Sequence, residues 1–129
     1  MGIQSEQPSV ERRFRMDDGV ELVAEAWGAP DHHLLLHSGG QTRHAWKGTA
    51  AVLASHGYHA IAVDLRGHGD SGWSADGNYE IDRFAADVAG WPRVFDQQPI
   101  PTGASLGGIA SLIATGEAAQ PIAAALVLP

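Results

Sequence analysis

The sequence predicts an α/β domain: a mostly parallel sheet with helices on both faces and a β-hairpin at its N-terminal end. Three observations predict it. Residues 10–27 alternate apolar and polar side chains around an Asp18-Gly19 turn, the pattern of a hairpin with one half-buried face. Short apolar runs at Leu34–Leu36, Tyr58–Asp64 and Ile122–Leu128 suit strands buried on both faces. Helical patterns separate those runs, and alternating strands and helices give crossover connections and parallel pairing.

Residues 1–9 are polar and carry no apolar core segment, so they read as a flexible lead without a signal peptide. Residues 10–129 read as one domain, because a chain of 129 residues holds one at most. Val10, Arg12, Phe14 and Met16 share one face of the first strand, and Val20 to Trp27 alternates again. Ala45 to His56 is a predicted helix, with Trp46, Val52 and Leu53 apolar and Gly57 as its stop. Ile81, Phe84, Val88, Trp91 and Phe95 recur at helical spacing over Ile81–Phe95, with Pro92 set to kink or end that helix. Leu106 to Thr115 is apolar on nearly all sides, a predicted buried helix closed by Gly116.

Composition excludes several function classes. With a net charge of -7, and eight Lys and Arg against fifteen Asp and Glu, the chain is ill suited to a phosphate backbone, and no nucleic-acid partner is expected. There is no cysteine, hence no disulfide scaffold, thiol nucleophile or Cys-based zinc site. No apolar stretch approaches the roughly 18 residues of a membrane span. The chain opens Met-Gly, but Glu6 breaks the myristoylation pattern. A cytoplasmic protein without a membrane partner is the expectation.

Chemistry is concentrated in three segments. Gly103-Ala104-Ser105-Leu106-Gly107 spells G-x-S-x-G, in which flanking glycines leave room for a serine on a strained strand-to-helix turn. The following helix points its positive end at the site, where it favours a developing oxyanion. His37-Ser38-Gly39-Gly40-Gln41 follows one buried strand, and Asp64-Leu65-Arg66-Gly67-His68-Gly69-Asp70-Ser71 follows the next.

In that order the three segments resemble the N-terminal half of the α/β-hydrolase family, over Val10 to Pro129. The resemblance implies a partial α/β-hydrolase fold with Ser105 as nucleophile. The N–H of Leu106 would be one oxyanion donor and that of Gly39 the other, with Gly40 a near rival. A serine at this place implies acyl transfer, most simply hydrolysis of a small-molecule ester through an acyl-enzyme, with no cofactor and no metal. Three departures stand out: Ser38 replaces the glycine the family usually has after its oxyanion-loop histidine; Pro99 and Pro101 fall where the family places a central strand and, lacking the ladder N–H, predict a shortened one; and the triad is incomplete. Family members carry the acid and then the histidine after the serine, whereas residues 106–129 hold no Asp or His and only Glu117 as an acid. The chain alone is therefore expected to be inactive. A non-catalytic remnant or interaction module is the alternative. The Ile122–Leu128 strand, flanked by further strands in the family, would here be an edge open to pairing with a second copy.

The other polar candidates have plainer readings. His32, His33, His44, His56 and His59 read as surface residues, and His37 and His68 as structural residues within the two loop motifs. His33 and His37 lie about 13 Å apart along a strand, too far to share a metal. Gly67-His68-Gly69-Asp70-Ser71-Gly72 spells a dinucleotide fingerprint and keeps nucleotide binding as a second alternative. That fingerprint, however, must open a helix, and loop sequence follows it here.

Overall fold

The computed structural model describes residues 9–28, 31–91, 100–117 and 127–128. β1 (Ser9–Arg15) and β2 (Glu21–Trp27) form the expected antiparallel hairpin. Gly19 sits at φ 89° in its turn and donates to the Met16 carbonyl at 3.0 Å, while the Asp18 carboxylate accepts from Val20 N–H. Next come β3 (Asp31–Leu36), a 3₁₀ turn at Arg43–Trp46, α1 (Lys47–Ser55) and β4 (Tyr58–Val63). The chain continues through α2 (Ile81–Ala89), β5 (Ile100–Ala104), α3 (Leu106–Glu117) and β6 (Val127–Leu128). Among the described residues no helix is long and apolar enough to cross a membrane.

The sheet order is β1-β2-β4-β3-β5-β6. β4, β3, β5 and β6 pair in parallel, but β2 meets both β1 and β4 antiparallel. "Mostly parallel" therefore holds for the half that carries the motifs, and the hairpin supplies the exception. Helices cover both faces, as the sequence predicts. On one face Leu34, Leu36, Ile61 and Val63 pack with Phe84, Val88 and Trp91 of the α2 region and with Ala110 and Ala114 of α3. On the other, Leu35, Ala60 and Ala62 meet Ala50 of α1, with Leu53 beside them. The odd–even split of Leu34, Leu35 and Leu36 follows from the two-residue period of a strand, and explains why that run is apolar throughout.

Four expectations need correction. The helix predicted over Ala45–His56 begins as 3₁₀ and becomes α only at Lys47. α2 stops at Ala89, where Gly90 caps it before Pro92, and Phe95 lies outside the described residues. α3 runs through Gly116 to Glu117, and it is not buried all round, since Ile109 and Leu112 are exposed. His59 is buried rather than on the surface. The shortened strand is observed: β5 has five residues, with Pro101 buried and opposite Leu34. Among the described residues β6 pairs with β5 only at Gly103 and Ala104, beyond the proline. Most of the predicted Ile122–Leu128 strand lies outside the described residues.

Candidate active site

Ser105 stands alone between the last residue of β5 and the first of α3. Its φ of 50° makes it the one non-glycine in the left-handed region among the described residues, a conformation costing about 1–2 kcal/mol. Close packing on either side holds it there. A Cβ on Gly103 would run into the backbone of Gly107 and Gly108, and one on Gly107 would lie 2.7 Å from the carbonyl carbon and Cβ of Leu36. Only glycine lets α3 approach β5 and β3 so closely. The Ser105 carbonyl accepts the first helical bond, from Ile109 N–H at 2.8 Å. The side chain is exposed, and among the described residues nothing hydrogen-bonds its hydroxyl.

The loop after β3 reaches the same place. A Cβ on Gly39 would meet the Leu106 side chain at 3.7 Å, so two of the three predicted site residues, Gly39 and Leu106, are neighbours across the two loops. Gly40, the rival donor, is engaged elsewhere: it sits at φ 80° and donates its N–H to His68 Nε2 at 3.0 Å.

That bond also fixes the state of His68. Its Nε2 accepts, so its proton lies on Nδ1, which donates to the Arg66 carbonyl at 2.9 Å. His37 has the same arrangement: Leu65 N–H donates to Nε2 at 3.0 Å, and Nδ1–H donates to the Ser38 carbonyl at 2.7 Å. Neither ring therefore has a lone pair left for a serine proton. Burial holds the His37 pKa below its ordinary value; nearby His68 adds to this, and the Ser38 carbonyl works against it. The consequence is a pH dependence of stability. The unfolded chain protonates this histidine near pH 6.5, while the folded chain resists it, so stability falls as pH drops from about 7 to about 5. Urea midpoints across that range should show a shallower slope for His37→Asn than for the unsubstituted chain. Equal slopes would contradict this account.

The Asp64–Ser71 segment is a clamp. The buried Asp64 carboxylate accepts from the N–H groups of Arg43 at 2.6 Å and Asp70 at 2.9 Å, and pairs with the Arg43 guanidinium. Gly69 is required because a Cβ there would collide with that carboxylate. Arg66 is wholly buried, held by Asp87 at 2.7 Å, Asp18 at 2.8 Å and the Ser74 hydroxyl at 2.8 Å. Arg66 in turn holds the Asp18 carboxyl down at about 2. Ser71 Oγ donates to the Asp64 carbonyl and accepts from Val23 N–H at 2.8 Å. Sequence reasoning recognised the motif but not these partners, which are too distant along the chain to leave a local signal. The same geometry counts against nucleotide binding. Gly67 N–H donates to Gly72, Ser71 to His68 and Gly72 to Glu21, so the loop turns its donors inward, and the next helix begins only at Ile81.

A mixed sheet sandwiched by helices, parallel where it carries a serine on a tight strand-to-helix turn beside a glycine loop, defines the scaffold of a hydrolase-type α/β protein. Comparison with known proteins agrees: the profile of the alpha/beta hydrolase fold family matches residues 33–128, and this chain belongs to that family. It is 33% identical over 114 residues to an esterase of Mycobacterium tuberculosis, a match spanning 86% of this chain and 36% of the esterase. It is also 33% identical over 115 residues to a non-heme chloroperoxidase of Streptomyces lividans, spanning 85% of this chain and 41% of that protein. Among solved structures, an epoxide hydrolase from an endophytic Streptomyces superposes with a TM-score of 0.82 at 21% identity, over 92% of this chain and 36% of that one. The M. tuberculosis esterase superposes with a TM-score of 0.70 at 29% identity, over 95% of this chain and 42% of that one. The chain thus spans well under half the length of these relatives.

Proposed function

We propose that this chain is the nucleophile-bearing part of a serine hydrolase that cleaves small esters by acyl transfer. The observation that carries the reading is Ser105, exposed and held at φ 50° by two glycines that admit no side chain. In this role the Ser105 hydroxyl attacks the ester carbonyl. The Leu106 N–H, at the positive end of α3, and the Gly39 N–H receive the oxyanion. Gly39 is preferred over Gly40 because the Gly40 N–H is already bonded to His68. No metal or cofactor is needed for this chemistry. The 33% identity to an esterase favours an ester substrate over the epoxides of the structural neighbours.

A proton acceptor must come from outside the described residues, because His37 and His68 are both committed. That commitment is also what favours the second reading, a non-catalytic member of the family. The test is covalent capture in a chain extended by the C-terminal part of the M. tuberculosis esterase. A fluorophosphonate should add its mass to the peptide containing Ser105, and Ser105→Ala should abolish the label. Labelling that persists in the alanine variant, or is absent from a folded extended chain, would favour the non-catalytic reading.

A further inference from the structure

Beside the Ser105 turn lies an open cavity of about 440 Å³, lined by Arg66, Gly67, His68, Trp73, Tyr79, Phe84 and Leu106. It adjoins Leu106, the residue after Ser105. Its walls are rings. Phe84 stacks obliquely 6.4 Å from Tyr79 and meets His68 edge-on at 6.4 Å, while Trp73 is 74% exposed at the rim. The Tyr79 ring lies so close to Gly67 that a Cβ there would come within 2.6 Å of it, and its hydroxyl accepts from Ser74 N–H at 3.0 Å. These contacts hold Tyr79, Phe84 and His68 against one another.

The charged and imidazole groups that line the cavity are already bonded. Arg66 is saturated by Asp87, Asp18 and Ser74, and both His68 nitrogens are bonded within the loops. An anion would find no free cation here. A neutral carbon surface would displace water from ring faces at little cost. The volume, within the usual range of small-molecule sites, accommodates an aromatic ring carrying a few further carbons.

We infer that this cleft is the specificity pocket for a neutral aryl group of the substrate, held beside Ser105 by Trp73, Tyr79 and Phe84. The inference rests on the reading of Ser105 as nucleophile for its meaning, but not for its test. The probe is 1-(4-nitrophenyl)butan-1-one, a neutral ketone that cannot be hydrolysed and whose nitroaryl ring quenches tryptophan on contact. Titrated into the 129-residue chain, it should quench fluorescence saturably, and Trp73→Phe should remove most of the quench. By ligand-observed NMR, Tyr79→Ala should weaken binding at least fivefold, with circular dichroism used to verify that the variant folds. The anion 4-nitrobenzoate and the cation 4-nitrobenzylamine should each bind at least tenfold more weakly than the ketone.

Non-saturable quenching, equal binding of a charged analogue, or unchanged binding by folded Tyr79→Ala would overturn the proposal. Ser105→Ala should bind the ketone as the unsubstituted chain does, which separates the two readings. Binding retained without Ser105 labelling in the extended chain keeps the pocket and rejects the nucleophile; labelling without saturable binding does the reverse.

Discussion

Replacing Gly107 by alanine is expected to destabilise the chain by about 3 kcal/mol or more, at the upper end of overpacking costs. In an ordinary helix the same change is favourable, because alanine loses less backbone entropy than glycine. Here the new methyl would lie 2.7 Å from the carbonyl carbon and Cβ of Leu36, at the end of β3. Leu36 is 1% exposed, and α3 packs on the same face through Ala110 and Ala114, so neither partner can retreat without opening the core. Against a total stability of about 5–15 kcal/mol, that loss is large. Gly48→Ala is the internal control. It lies within α1, and a methyl added there would meet nothing inside 4 Å, so the change should be neutral or stabilising by up to about 1 kcal/mol. Urea unfolding of the two variants side by side measures the contrast. A Gly107→Ala chain as stable as the unsubstituted one would mean that the elbow is not held by this contact.

The elbow illustrates what the sequence makes legible and what it hides. Gly103, Ser105 and Gly107 announce a tight turn because their spacing reflects a local steric need, and the hairpin around Gly19 is legible for the same reason. The Leu34–Leu36 run reveals a strand covered on both faces because burial removes every polar choice. Local pattern fails where the partner is remote. The burial of Arg66 depends on Asp87 and Asp18, and nothing adjacent to Arg66 indicates either of them. His59 looks like a surface residue at a helix-to-strand turn, yet it is buried because β4 lies in the sheet interior. Pro101 weakens the case for a central strand. The strand forms all the same, with its parallel register to β3 set at His33, Leu34, Leu35 and Leu36. The rivalry between Gly39 and Gly40 could not be judged from sequence at all. The bond from Gly40 to a histidine 28 residues away leaves no local trace.

The 129-residue chain is expected to hydrolyse 4-nitrophenyl esters no faster than its Ser105→Ala variant. A serine hydroxyl is a poor nucleophile at neutral pH unless a base takes its proton, and a histidine does so best when an acid orients it. Residues 106–129 offer neither Asp nor His, and the two nearby histidines have no nitrogen to spare. An oxyanion hole and binding alone leave ~10³-fold acceleration, too little to rise clearly above background hydrolysis. Joined to a C-terminal segment that carries an Asp and a His, the same scaffold should gain turnover by roughly 10³-fold or more, all of it lost in Ser105→Ala. If the unextended chain instead shows clear turnover that Ser105→Ala abolishes, a base is present after all. His37→Ala and His68→Ala would then locate it. Loss in the His68 variant would require its Nε2 to leave the Gly40 N–H during catalysis. Turnover kept in both histidine variants would assign the base to a neighbouring chain, and the rate would then rise with the square of protein concentration well below the dimer's dissociation constant.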